Sequence, residues 1–327
     1  MIHPRFLKLL LGALITVAAI TAAPVAWPYE SHTETFRNNQ FRDWNNTTAD
    51  WAYLDGILRA FPHQPVHLGG CAIDDMPQHV AVAGDLAFVT DYRTGFYVVD
   101  ISDTSSPFVV GYYEHTSPGN WDIAVDGDLA YFGASNGLHV VDVSDPANPR
   151  RVGLCYLNGG FVGVVVAGDH VYLASSGRGL QVVDVHDPAN PTLVGAIGTD
   201  GLTRDLALAG NVVYLPDTVS GVVAVDVSDP ENPRATGSCA LPGDPSAIAV
   251  DGNHAFVATY TEGIQIVDIS SPGAPTLVAG HRLLGTFYSV AVAGDFLVAG
   301  NSVFDLLVLS ITDPRQPVAV GDVALTG

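Results

Sequence analysis

Gly179-Leu180-Gln181-Val182-Val183-Asp184-Val185-His186-Asp187-Pro188-Ala189-Asn190-Pro191 is an apolar run closed by a turn, and it decides the fold because it recurs. Gly263-Ile264-Gln265-Ile266-Val267-Asp268-Ile269, followed by Ser270-Ser271-Pro272, repeats it 84 residues later, which is twice a 42-residue period. Pro65, Pro107, Pro149, Pro191, Pro233, Pro275 and Pro317 keep the 42-residue spacing without a slip. Asp100, Asp142, Asp184, Asp226 and Asp268 keep it as well and are continued by Ser310. A third column, Gly84, Gly127, Gly168, Gly210, Gly252 and Gly294, drifts by one residue around the second unit only. Periodicity on this scale marks a chain of stacked structural units.

Within one unit the pattern predicts four short strands, in the third unit roughly Val162–Ala167, His170–Ala174, Leu180–His186 and Thr192–Ile197. Ala167-Gly168-Asp169 joins the first two as a tight hairpin, where glycine supplies a positive φ without a steric penalty. Asp187-Pro188-Ala189-Asn190-Pro191 joins the last two, and its prolines keep it out of any ladder. The strands are apolar on both faces, so each sheet needs a neighbour on either side. Radial stacking supplies both neighbours and leaves few open edges, whereas a linear solenoid needs capped ends. The fold class predicted is therefore all-β: a β-propeller of four-stranded 42-residue blades over residues 65–327, six of them complete. Pro65–Cys71 is an extra N-terminal strand, which either caps a six-bladed ring or belongs to a partial seventh blade.

The two quoted segments, each followed by a Ser/His-Asp/Ser-Pro turn, resemble the LVIVD repeat of bacterial and archaeal surface proteins. The resemblance runs over residues 65–327 and implies a secreted or cell-surface propeller. It implies no shared catalytic residue, so it transfers no site.

The ends of the chain read differently. Arg5 and Lys8 precede a 15-residue apolar run, Leu9 to Ala23, which reads as a signal peptide over residues 1–26. Cleavage is expected after Ala26, because Pro24 spoils a cut after Ala23. An uncleaved anchor is the alternative, although the run is short against the ~20 residues of a spanning helix. No second long apolar stretch follows, so no membrane-spanning domain is expected after cleavage, and the chain is placed as secreted, periplasmic or on the cell surface. Residues 27–64 fall outside the repeat. There Trp51, Leu54, Leu58 and Phe61 are spaced like one face of a helix, with Thr48 as its cap and Pro62 beyond its end. This predicts an N-terminal extension with a short helix.

Acidic residues outnumber Lys and Arg by 34 to 13, a net charge of −21, which disfavours nucleic-acid partners because phosphate contacts are made by Lys and Arg. Much of that charge is periodic, since Asp103, Asp145, Asp187, Asp229 and Asp313 form a column of their own at the turns. Cys71, Cys155 and Cys239 are 84 residues apart and occupy one column in alternate units. Such separation is too large for a disulfide or a shared metal, and the three read as small packed hydrophobes.

Function is sought where the units differ, in the residues leading into each first strand at the mouth of the central channel. The candidate ligand-binding set is His79, Trp121, Asp122, Arg204, Asp205 and Tyr288: four titratable groups, and two aromatics suited to stacking on a sugar or a peptide. The loops containing Asp91-Tyr92-Arg93, Asp217-Thr218 and Tyr260-Thr261-Glu262 share that face. Asp122, Asp205 and His79 together have the chemistry of a hard-cation site, set against an independently varying loop surface. No Ser-His-Asp pattern, phosphate loop, zinc spacing or haem motif is present, so no catalytic residue, metal or cofactor is expected. These features point to a non-enzymatic extracytoplasmic binding scaffold for a protein or carbohydrate ligand at or outside the cell envelope. The alternative is a carbohydrate-active hydrolase or lyase with carboxylates at the channel mouth, which for glycoside hydrolysis needs a pair ~5–10 Å apart. A structural surface-layer component is a third reading.

Overall fold

Each repeat folds into one four-stranded antiparallel sheet, and six such sheets arranged in a ring make a six-bladed β-propeller. The computed structural model describes residues 33–34, 50–54, 57–61, 70–71, 73, 77–92, 95–115 and 122–323. The signal peptide expected over 1–26 lies outside them. Most of the strand expected at Pro65–Cys71 does too; Gly70 and Cys71 are described and carry no strand.

In the third blade the strands are Phe161–Ala167, His170–Ser175, Gly179–Asp184 and Thr192–Ile197. The third strand stops at Asp184, two residues short of the expected His186. The Asp184 carboxylate turns back at that point and accepts the His186 amide at 2.8 Å. Gly168 makes the hairpin between the first two strands with φ 56°, as its turn requires. All six blades carry a register shift at the same place, where the third strand meets the fourth, as at Val182/Val183. A bulge there adds twist and bends the outermost strand, the curvature each blade needs to follow the ring.

Burial follows the strand order. In the third blade the second and third strands are buried almost throughout, while the fourth alternates with solvent. That is the pattern of a sheet covered on both faces, with its outer edge exposed. Consecutive blades share one apolar core each, such as Leu138, Val140 and Phe161 with Leu173 and Val183 between the second and third blades. The fourth strands also carry a glycine column at close approach. A Cβ on Gly153 would stand 2.0 Å from the Pro188 carbonyl oxygen in the next blade's turn, and one on Gly195 2.1 Å from that of Pro230. Glycine at these positions lets the turn of one blade seat closely against the outer strand of its neighbour, and the fifth blade carries Ala279, the next smallest residue, in the same column.

The two faces left over, on the first and sixth blades, do not merge. Ala87, Val89 and Val99 cluster on the first with Cys71 and Ile73, and Val298, Leu306 and Val308 cluster separately on the sixth.

The short helix expected around Trp51 and Phe61 is not formed. Those residues lie instead on two strands, Asp50–Leu54 and Ile57–Phe61, paired antiparallel with Leu54 opposite Ile57 and joined by Thr33–Glu34 into a three-stranded sheet. The intervening dipeptide is Asp55-Gly56, the composition of a two-residue hairpin, and Trp51, Tyr53 and Ile57 favour strand over helix. A turn dipeptide outweighed a helical spacing. Cys71, Cys155 and Cys239 are all free thiols, the first half-buried and the others buried.

Candidate functional site

The first strands lie innermost: those of blades one to three touch in sequence, and so do those of blades four to six. The residues leading into them therefore ring the channel. His79 and Asp122, from the first and second blades, meet there with Nδ1 3.4 Å from Oδ1, at side-chain exposures of 31% and 18%. The other Asp122 oxygen accepts the Val164 amide of the third blade at 2.7 Å. Asp205 in the fourth blade repeats this arrangement. Its Oδ2 accepts the Ile248 amide of the fifth blade at 2.9 Å, and its Oδ1 accepts the Leu206 amide at 2.8 Å.

Both carboxylates thus bind their own blade to the following one. Burial pushes the Asp122 carboxyl up, against the pull of His79 and of the Val164 amide. Asp205 is pushed up to about 8, by burial first and with the negative charge of Asp122 adding to it, against the amides of Ile248 and Leu206. Asp205 therefore holds a proton at neutral pH.

Arg204, beside Asp205, reaches the opposite way. Its guanidinium carbon sits 5.2 Å from the centre of the Tyr260 ring, and Nη1 donates to the Tyr260 hydroxyl at 3.4 Å. The Tyr260 ring in turn meets Tyr288 edge-on, with centroids 6.0 Å apart. Arginine and two tyrosines thereby form a continuous strip across the fourth, fifth and sixth blades. The Arg204 Nε is buried and has no hydrogen-bond partner among the described residues, whereas buried N–H groups are nearly always paired. Glu262 and Arg282 flank the strip, 3.7 Å apart. Trp121 lies outside the described residues. The structure thus brings the candidates into two groups, His79 with Asp122 and Arg204 with Tyr288 through Tyr260, while Asp205 sits beside the second and feels the first.

The loop set on the same face divides in two. Asp91, Ser175, Asp217, Thr259 and Asn301 end the second strands of five blades and are fully or almost fully buried. Asp217 accepts the amides of Gly201, Val219 and Ser220 at 2.7–2.9 Å. Burial pushes this carboxyl up, but those hydrogen bonds outweigh it and hold it below the usual range. Asp217, Thr259 and Asn301 fasten their loops. Tyr92 and Tyr260 remain partly exposed above them.

One titratable cluster lies away from the channel. His139 is 1% exposed, with Nδ1 2.9 Å from the Tyr113 hydroxyl and Nε2 2.8 Å from Asn136 Oδ1. Burial, then the neighbouring His115 and Arg151, press it down to about 3, so it is a neutral packed histidine.

Residues 76–115, 119–156, 159–199, 200–240 and 242–280 match the LVIVD repeat. The sixth blade lies beyond the matched residues yet keeps the same strand order. Among solved structures the chain is similar to U3-55K at 14% identity and a TM-score of 0.63, covering 80% of this chain and 84% of that one. It is similar to the RRP9 WD40 repeats at 14% identity and a TM-score of 0.60, covering 80% and 83%. The Cps50 (Swd1) β-propeller domain of Myceliophteria thermophila gives 12% and 0.59, covering 79% and 87%. At these identities the likeness is one of fold. No curated protein matches the sequence. The columns of aspartate, proline and glycine, the 42-residue blade and the five matched repeats lead to one assignment: the chain belongs to the LVIVD repeat family.

Proposed function

We propose that the protein is a non-enzymatic extracytoplasmic scaffold that binds a protein or carbohydrate ligand on the channel-mouth face. The observation that carries this is the Arg204–Tyr260–Tyr288 strip, in which a buried guanidinium N–H lacks an acceptor beside two aromatic rings. A ligand with an acceptor oxygen and a flat apolar face satisfies both features at once. Support for an extracytoplasmic site of action comes from the basic-then-apolar leader of residues 1–26.

The raised Asp205 favours a second reading, a glycoside hydrolase or lyase, because a general acid must hold its proton at working pH. Against it, backbone amides already occupy oxygens of both Asp122 and Asp205. The test screens the full chain against a glycan array and a displayed peptide library. A binder lost in Arg204→Ala/Tyr288→Ala but kept by Asp229→Ala, at the opposite face, is the expected result. Binding indifferent to the strip overturns the scaffold reading. Reducing-sugar release that stops in Asp205→Asn overturns it in favour of the enzyme.

A further inference from the structure

The repeat allows the same position to be compared in all six blades, and the first and last blades stand apart. Val143, Val185, Val227, Ile269 and Ile311 occupy one column and are each 4–5% exposed, packed against the preceding blade. Their counterpart in the first blade, Ile101, is only half-buried. Val125, Val166, Leu208, Val250 and Val292 likewise pack into the core shared with the blade before. Their counterpart Val82 is 39% exposed. At these two positions the first blade is less covered than its successors, while Ala87, Val89 and Val99 on the same side are 0–2% exposed in a cluster containing no residue of the sixth blade.

The sixth blade shows the complementary state. Val298, Leu306 and Val308 are each 3% exposed, yet they form a cluster containing no residue of the first blade. Something other than the first blade covers them. Two further observations say what. Strand Ile57–Phe61 of the N-terminal sheet lies alongside the sixth blade's last strand, Val318–Val323. Cys71 and Ile73, ten and twelve residues after Phe61, pack with Val80, Tyr97 and Ile101 on the open side of the first blade. The chain thus leaves its N-terminal sheet at the flank of the sixth blade and arrives at the flank of the first.

We infer that the N-terminal three-stranded sheet is the occupant of the junction between the sixth and first blades. Five junctions are blade on blade, and the sixth is mediated by Asp50–Phe61. Strands Asp50–Leu54 and Ile57–Phe61 are on this account a structural part of the ring, although they lie outside the repeat.

The test places a photo-reactive benzoylphenylalanine at Leu58 in the full chain, with Tyr156, 79% exposed on the second blade, as the control position. Irradiation is expected to join residue 58 to peptides of 296–323 within the same molecule. Cross-links to a second copy, or to blades two to five, overturn the inference. Cys71 gives an independent readout. Tyr53→Asp/Leu58→Asp is expected to speed alkylation of Cys71 several-fold while Cys155 and Cys239 stay protected, because local opening of one junction leaves the other cores intact. Equal alkylation of Cys71 in the variant and the parent overturns it.

Discussion

The aspartates at the turns between third and fourth strands and those at the channel mouth are the same residue in opposite service. At the turns, the carboxylates of Asp100, Asp142, Asp226 and Asp268 each accept an amide two residues ahead at 2.9–3.0 Å, inside their own turn. Hydrogen bonds hold these groups below the usual carboxylate range, Asp142 at about 2 through Ser144 first and Arg150 after it. At the channel, Asp122 and Asp205 accept amides 42 and 43 residues away and are pushed up instead. Repetition goes with local chemistry and singularity with contact between units. An acid found in five of the six blades closes a turn; an acid found in two blades fastens one blade to another.

The comparison predicts that links between blades outweigh links within them. Gly153→Ala should be the most damaging change, by about 3 kcal/mol, because its methyl group meets backbone rather than a movable side chain. Urea midpoints measure it, and a loss no greater than that of a surface alanine would show that the turn shifts aside freely. Next comes Asp122→Ala, which leaves the Val164 amide without an acceptor at a junction and should cost about 2 kcal/mol. Asp184→Ala, by contrast, exposes its turn amide to water and should cost about 0.5–1 kcal/mol. Equal losses at residues 122 and 184 would erase the distinction.

Acidity separates the two sets by sign. Asp205 has a native pKa raised above that of the unfolded chain, so the native state holds the extra proton. Its contribution is complete below about pH 4 and is lost as pH rises toward about 8. Asp205→Asn keeps an oxygen for the Ile248 amide and should flatten that decline, gaining roughly 1–2 kcal/mol over the parent at pH 8. That figure is well below the full shift, because Asp205 is only half-buried. The turn aspartates have depressed native values, so their contribution is present above about pH 4 and fades as pH falls toward about 2. Denaturation midpoints at pH 3, 5 and 8 check both slopes, and a variant that runs parallel to the parent across pH 4–8 would remove Asp205 as the source.

How much of this could be read from the chain depended on where each signal resides. The blade was legible because Pro191, Asp184 and Gly168 each announce a turn by their own chemistry, and the period repeats the announcement. The third strand's end was misjudged by two residues, since Val185 and His186 have no property that outranks the Asp184 side chain folding back. The hairpin at Asp50–Phe61 was missed although Asp55-Gly56 announces it, because Trp51, Leu54, Leu58 and Phe61 fit a helical spacing as well. Asp122 and Asp205 stood out as channel-mouth acids, but their bonds to Val164 and Ile248 were invisible. The donors are backbone amides, which leave no mark on the identity of the residue that carries them. Tyr260 belongs to a different loop set from Arg204 and Tyr288, and only the folded ring joins the three.

The bonds from Asp122 to Val164 and from Asp205 to Ile248, and the seat of Pro188 on Gly153, all run from one unit to the next and span 35 to 43 residues. Their consequence lies in the order of folding. A chain whose tertiary contacts never reach much beyond one repeat has short loops to close and can add blades one after another, starting anywhere along its length. A single step escapes this economy of distance: closing the ring between the sixth blade and the first, segments more than two hundred residues apart. Ring closure is therefore the step expected to limit the rate of refolding, with blades assembled before the circle is complete.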